Sequence, residues 1–128
     1  MKPILRKTYF ICTAPRSGSF LLADGLTATG IAGRPQEYFD KSFEGYWRER
    51  LRIRSNDEYL PKLLDDATTG NGVCGAKVLW YQLQNLVALL GSTDLSIAGM
   101  QATVAEAFPN LQYIWLVRRD KVAQAVSY

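Results

Sequence analysis

The residues Ala14-Pro15-Arg16-Ser17-Gly18-Ser19 form a short run of small and polar residues between a β-forming stretch and a helical pattern. Such a turn points several backbone N–H groups at one spot, where the dipole of the following helix adds partial positive charge. Arg16 adds a permanent guanidinium charge. Ser17 and Ser19 supply hydroxyl donors, and Gly18 lacks the Cβ that would hinder close approach to the backbone. The loop is therefore predicted to bind a phosphoryl or sulfuryl group.

This loop is not a Walker A motif. That motif ends in Gly-Lys-Ser/Thr, which supplies a lysine to the phosphates and a hydroxyl to Mg²⁺, whereas here Ser19 and Phe20 follow Gly18. A site for ATP or GTP is thus the weaker interpretation. An ordinary polar connection with an exposed arginine stays open as the alternative for so short a segment.

A second pair of anion-binding side chains, Arg118 and Ser127, follows the last apolar run of the chain. Arg118 stands at the C-terminal end of a predicted strand. If the next helix begins near Asp120, Ser127 lies about two turns along it, so both side chains reach one phosphate only when that helix leans across the strand end. The charged residues 119–121 are equally compatible with a solvated helix start.

Lys77 and Trp80 fall at the end of the second apolar run. Lys77 could contact an anionic donor or an acceptor, and Trp80 could stack on a sugar or on an adenine ring. The alternative is an aromatic side chain that covers the core beside a lysine that extends its amine into solvent. Arginines at positions 48, 50, 52 and 54 alternate in a way that could line an acceptor channel, although such a run is more often a solvated face.

The hydrophobic pattern predicts the elements that position these residues. Strands are predicted over 7–13, 73–79 and 111–117, and helices over 20–30, 56–66 (capped by Asn56 or Asp57), 83–90 and 100–108, with a polar loop over 91–99 and no clean period over 34–54. Alternating strands and helices favour an α/β fold, in which a parallel sheet is flanked by helices and the first strand, loop and helix form a P-loop-like unit. Ligands of such folds bind at the carboxyl ends of the strands, where both Arg16 and Arg118 fall.

Length and composition favour one domain over residues 1–128. The net charge of +3 suits a small anionic ligand and does not demand a nucleic acid. No segment approaches the roughly 18 apolar residues of a membrane helix, and the N-terminus lacks a signal-peptide pattern, so a cytoplasmic protein is expected. Cys12 and Cys74 are expected to be buried free thiols.

Four blocks of the sequence resemble, in order, the bacterial trehalose 2-sulfotransferase family. They are residues 14–22 (APRSGSFLL), 33–39 (GRPQEYF), 72–80 (GVCGAKVLW), and Arg118 with residues 124–128 (QAVSY). The resemblance covers nearly the whole chain, but members of that family continue well beyond the position of Tyr128. Residues 121–128 also begin as a helix and stop without a cap, so the chain is predicted to be the N-terminal part of a longer domain.

The resemblance implies a sulfotransferase whose donor is 3′-phosphoadenosine 5′-phosphosulfate. The implied donor-binding residues are Pro15, Arg16, Ser17, Gly18, Ser19 and Phe20 at the 5′-phosphosulfate, and Arg118 and Ser127 at the 3′-phosphate. It also implies a carbohydrate-type hydroxyl acceptor, such as trehalose or a glycolipid precursor, no metal, and a homodimer. The family commonly has threonine at the position that Phe20 occupies here. Because phenylalanine cannot donate a hydrogen bond to a phosphate, a weaker affinity for the sulfuryl donor is expected.

The resemblance places the catalytic base at Glu37, with Arg16 as the second catalytic residue. Sulfuryl transfer to an alcohol needs a group that accepts the hydroxyl proton, and the chain contains no histidine. Arg16 and the loop amides would stabilise the charge on the leaving phosphate, as in phosphoryl transfer. Two other functions stay open: a P-loop nucleotide kinase, disfavoured by the missing Gly-Lys-Ser/Thr, and a nucleotide-binding fragment without turnover.

Overall fold

The fold is taken from a computed structural model, which describes residues 5–13, 19–108 and 110–116. Its elements in chain order are β1 (Lys7–Thr13), α1 (Ser19–Ala28), a 3-10 turn (Lys41–Phe43), α2 (Glu44–Arg50), α3 (Asn56–Ala67), β2 (Val73–Lys77), α4 (Trp80–Leu89), α5 (Ile97–Ala107) and β3 (Gln112–Leu116). Within this described part, no helix is long and apolar enough to cross a membrane.

The three strands form one parallel sheet in the order β2-β1-β3. Ile11 of β1 is opposite Lys77 of β2, and Thr13 is opposite Leu116 of β3. The last residues of all three strands therefore lie at the same edge of the sheet. The predicted α/β class, with a parallel sheet and flanking helices, is confirmed.

Helices cover both faces of the sheet, as parallel sheets require. Tyr9 and Ile11 point to one face and pack with Ala23 of α1. The intervening Phe10 points to the other face, where its ring meets Phe108 edge-to-face with centroids 5.4 Å apart. The core on that face also contains four buried residues of α4 and α5: Leu86, Val87, Met100 and Val104. Burial of each such side chain contributes about 1.5–3 kcal/mol.

Several predicted boundaries are wrong by a few residues. Ser55, not Asn56 or Asp57, occupies the N-cap of α3. The helix predicted from Met100 begins at Ile97, because Ser96 caps it by accepting a hydrogen bond from the Gly99 N–H at 3.0 Å. β2 ends at Lys77 instead of Leu79, since Leu79 already serves as the N-cap of α4.

The two cysteines are free thiols, as predicted. Cys74 is buried but Cys12 is only partly so, which corrects the expectation that both are buried. Cys74 is opposite Thr8 in the sheet, four positions before Cys12. At about 3.3 Å per residue the two cysteines are about 13 Å apart along the strands, well beyond the span of a disulfide.

Candidate active site

The candidate base, Glu37, lies in a segment that runs beside β2. We call residues 33–40 the Glu37 segment. It begins at Gly33, whose φ of +74° is one that L side chains rarely adopt and whose missing Cβ would lie 2.6 Å from the backbone nitrogen of Gly75. Farther along, the N–H of Lys77 donates to the carbonyl of Gln36 at 2.9 Å. The segment thus follows β2 to the carboxyl edge of the sheet.

Side chains of the segment anchor it to the end of α3. The Arg34 guanidinium donates to the carbonyl oxygens of Asp66 (3.1 Å) and Thr68 (3.0 Å). The hydroxyl of the buried Tyr38 lies 2.7 Å from the Arg34 carbonyl oxygen and 2.9 Å from Asp66 Oδ2. Burial, together with the Asp66 charge, raises the pKa of Tyr38, which keeps the hydroxyl protonated as a donor. Arg34 and Tyr38 therefore hold the segment in place.

The Glu37 carboxylate is held through both of its oxygens. Oε2 lies 3.6 Å from the Lys77 ammonium, and Oε1 accepts a hydrogen bond of 2.8 Å from Gln82 Nε2. The Glu37 side chain keeps 28% of its surface exposed and the Lys77 side chain 14%. A carboxylate and an ammonium thus meet, within reach of solvent, at the edge where ligands of parallel sheets bind.

Behind Glu37 lies a second carboxylate, that of Asp40. Its Oδ2 accepts hydrogen bonds from Tyr81 (3.0 Å) and Gln82 (3.1 Å), and its Oδ1 accepts from the backbone and hydroxyl of Ser42. Burial by itself would raise the pKa of Asp40, but the four donors outweigh it and lower the pKa. Asp40 therefore stays ionised within a satisfied hydrogen-bond network.

Two aromatic side chains contact this network, and a third, Trp80, precedes one of them in the chain. Trp80 is the first residue of α4 and is 59% exposed, and the neighbouring Tyr81 is 58% exposed. The pKa of Tyr81 is raised, mainly by burial of its hydroxyl and further by the nearby charges of Asp40 and Glu37. On the inner side, the indole of the buried Trp47 donates to the Glu37 carbonyl at 3.3 Å. Exposed ring faces next to a carboxylate are a surface on which a sugar can stack.

The arginines at positions 48–54 do not form one row. Arg48 lies over the Tyr59 ring at 4.6 Å and donates to Asn56, while Arg50 donates to the Tyr46 hydroxyl at 2.7 Å. The strand-like alternation fails because Arg48 and Arg50 belong to α2, and Arg52 follows in a turn with a φ of 53°. At least the first two arginines make local contacts.

Sequence reasoning missed Gln82, Asp40 and Tyr81. Gln82 lies just before the helix predicted over 83–90, and the carboxylates that it contacts lie 45 and 42 positions earlier, so no local pattern marks it. Of the residues predicted to bind the sulfuryl donor, Ser19 and Phe20 are the first two residues of α1. Six lie outside the described residues: Pro15, Arg16, Ser17, Gly18, Arg118 and Ser127. In the described ranges, no cluster of three or more histidine, cysteine or acidic side chains could hold a metal ion.

Comparison with known proteins identifies the family. The family model for Stf0 sulphotransferase matches residues 8–128. Two trehalose 2-sulfotransferases are similar to the chain: one from Mycobacterium tuberculosis (32% identity, 95% of this chain) and one from Mycolicibacterium smegmatis (31% identity, 94% of this chain). The chain spans 55% of the length of each relative.

The two alignments extend over 151 and 147 residues, more than the 128 residues of this chain. The relatives therefore carry residues inside the matched region that have no counterpart here. The predicted resemblance is nevertheless confirmed by the match of the family model to nearly the whole chain. On this evidence the chain belongs to the Stf0 sulphotransferase family.

Proposed function

We propose that this protein transfers a sulfuryl group from 3′-phosphoadenosine 5′-phosphosulfate to a hydroxyl of a carbohydrate-type acceptor. The observation that carries the proposal is the Glu37 carboxylate, which Lys77 and Gln82 hold at the carboxyl edge of a parallel sheet. Trehalose is the first acceptor to test, because the two relatives are named trehalose 2-sulfotransferases. A glycolipid precursor is a further acceptor in the same class.

The proposed chemistry is an in-line displacement at sulfur. The acceptor hydroxyl oxygen forms a bond to the sulfur while the bond from sulfur to the bridging phosphate oxygen breaks. The electron pair of the broken bond stays on that oxygen, so 3′,5′-adenosine bisphosphate leaves as an anion. Glu37 takes the hydroxyl proton as the new bond forms, which is the task of a general base.

The anionic parts of the reaction require positive groups. Arg16 and the backbone N–H groups of residues 16–19, with Pro15 before them and Phe20 after them, are proposed to stabilise the 5′-phosphosulfate and the charge on the leaving oxygen. Arg118 and Ser127 are proposed to bind the 3′-phosphate, and a guanidinium suits that dianion well. Positioning and electrostatics supply most of the catalysis in the related transfer of phosphoryl groups.

Lys77 and Trp80 are proposed to contact the acceptor or the transferred group. The 3.6 Å between Lys77 Nζ and Glu37 is longer than an N–H···O hydrogen bond, so the ammonium has donor capacity for a second anion. The exposed Trp80 ring offers a face to a sugar. A cytoplasmic location, a homodimer and a single domain over residues 1–128 remain predictions.

The test is sulfuryl transfer by protein expressed from the complete reading frame, with labelled donor and with trehalose, glucose or buffer as acceptor. Transfer to trehalose with release of 3′,5′-adenosine bisphosphate supports the proposal. Binding measured in parallel separates the alternatives. Tighter binding of ATP with Mg²⁺ than of the bisphosphate would indicate a kinase, and tight bisphosphate binding without transfer to any hydroxyl acceptor would indicate a nucleotide-binding protein without turnover.

The two anion sites are tested by substitution. Arg16→Ala is expected to weaken binding of the bisphosphate, because one guanidinium contact to an anion is lost. Arg118→Ala should weaken binding of 3′,5′-adenosine bisphosphate far more than binding of adenosine 5′-phosphate, which lacks the 3′-phosphate. Equal losses for both ligands would remove Arg118 from the 3′-phosphate site.

A further inference from the structure

Gln82 is a buried amide that contacts both carboxylates of the site. Gln82 as a whole residue is 1% exposed. Nε2 lies 2.8 Å from Glu37 Oε1 and 3.1 Å from Asp40 Oδ2, while Oε1 accepts the Leu79 N–H at 3.1 Å. These contacts fix the orientation of the amide, since a flipped group would turn its carbonyl oxygen toward both carboxylates and its NH₂ toward an N–H donor.

The two amide protons are both used on the carboxylates. Nε2 also lies 3.3 Å from the Tyr81 hydroxyl, but that hydroxyl itself donates to Asp40. One proton thus goes to Glu37 and the other to Asp40. Since both carboxylates bond to a single nitrogen, Gln82 holds two negative groups near each other, where they would otherwise repel: the buried Asp40 and the partly exposed Glu37.

The position of Gln82 follows from the helix on which it lies. Leu79 is the N-cap of α4, and the Gln82 side chain folds back to bond the Leu79 N–H. That bond fixes the rotamer and aims Nε2 out of the helix start toward the Glu37 segment. An amide locked by its own helix is a rigid donor, and rigid donors hold a reacting group in one orientation at little further entropic cost.

We propose that Gln82 is a positioning residue for the base. It binds Glu37 Oε1 and thereby presents Oε2, on the side of Lys77, as the oxygen that takes the proton from the hydroxyl of the acceptor substrate. This inference rests on the proposed function of Glu37 as the base. Gln82 touches neither the donor nor the reacting atoms in this scheme. Its loss is therefore felt in turnover and not in donor binding.

The test is a double-mutant cycle of wild type, Q82M, E37Q and the double variant, in protein expressed from the complete reading frame. Q82M keeps the length of the side chain and removes the donor. It should lower kcat about 10- to 100-fold, the loss expected for one hydrogen bond to a charged group, with the KM for the donor unchanged. The double variant should turn over no more slowly than E37Q, because Gln82 acts through Glu37.

N85L is the matched control. Asn85 lies one turn farther along α4 and donates to the Phe39 carbonyl at 2.8 Å, so it ties the same segment to the same helix without touching the Glu37 carboxylate. N85L should reduce the stability of the fold and leave kcat near that of wild type. Equal losses of kcat in N85L and Q82M, or additive losses in the double variant, would make Gln82 a structural tie and overturn the inference.

Failure of the proposed function has a different signature. Wild-type kcat in E37Q would remove the base itself, and the positioning role with it, whatever the effect of Q82M. If Q82M does not fold, Q82L takes its place, because leucine is an apolar helix former that lacks the donor to the carboxylates. A folded Q82L protein with wild-type kcat would also overturn the inference.

Discussion

Gly33→Ala tests whether the Glu37 segment is held against β2 as closely as the structure indicates. The backbone at Gly33 has a φ of +74°, and a non-glycine residue there costs roughly 1–2 kcal/mol. The added Cβ would also lie 2.6 Å from the Gly75 nitrogen, 3.0 Å from the Ala67 oxygen and 3.1 Å from the Cys74 carbonyl carbon. All three are backbone atoms, which cannot rotate away, so overpacking adds about 1–3 kcal/mol.

Gly30→Ala separates the two costs. Gly30 has nearly the same φ, +72°, but no described atom lies within 4 Å of its Cβ position. The two variants therefore share the backbone strain and the loss of chain entropy in the unfolded state. Urea unfolding followed by tryptophan fluorescence should show that Gly33→Ala loses about 1–3 kcal/mol more than Gly30→Ala. Losses that agree within about 0.5 kcal/mol would refute the close approach of the segment to β2.

Four further substitutions probe the core and the pH dependence of stability. Thr8 is fully buried, and its hydroxyl has no hydrogen-bond partner among the described residues. Thr8→Val should therefore raise the free energy of unfolding by about 1 kcal/mol. Thr68→Val is the control: it removes the hydrogen bond to the Leu64 carbonyl and should lower the free energy of unfolding. Because the pKa of Asp40 is lowered in the folded state, its ionisation stabilises the fold at pH values above its unfolded-state pKa, and this stability is lost as the pH falls through its folded-state pKa. In urea titrations, Asp40→Asn should therefore flatten the decline of stability below about pH 4. Burial, with a smaller contribution from Cys74, raises the pKa of Tyr9 to about 12. The protonated hydroxyl therefore stabilises the fold at pH values below its unfolded-state pKa, and this stability is lost as the pH rises toward about 12. Tyr9→Phe should abolish that alkaline loss and remove the hydrogen bond to the Ala32 carbonyl.

Much of the fold follows from local sequence. β1 was predicted with its observed bounds, Lys7–Thr13, because a short run of β-formers ends in turn residues. The parallel arrangement follows from the alternation of strands and helices. By contrast, α2 was not predicted, since it has only seven residues, of which Trp47 alone is buried, and one buried side chain gives no helical period.

The site was only partly predictable. Lys77 and Trp80 could be placed at a strand end from the pattern, but nothing in the sequence near Glu37 indicates its contact with Lys77, which lies forty positions later. That contact depends on Gly33, whose missing Cβ lets its backbone lie close to the Gly75 nitrogen, and such a long-range packing feature has no local signal. Gln82 was hidden for the same reason, because its partners are distant in sequence.

The central claim is that the Glu37 carboxylate accepts the hydroxyl proton during sulfuryl transfer, and Glu37→Gln tests it most directly. The substitution keeps the size of the side chain and removes the basic oxygen. Glu58→Gln is the control, since Glu58 is a surface carboxylate that pairs with Lys62 on α3. With saturating donor and acceptor, Glu37→Gln should lower kcat by roughly 10²- to 10⁴-fold and leave the affinity for 3′,5′-adenosine bisphosphate unchanged. Wild-type kcat in Glu37→Gln would contradict the claim.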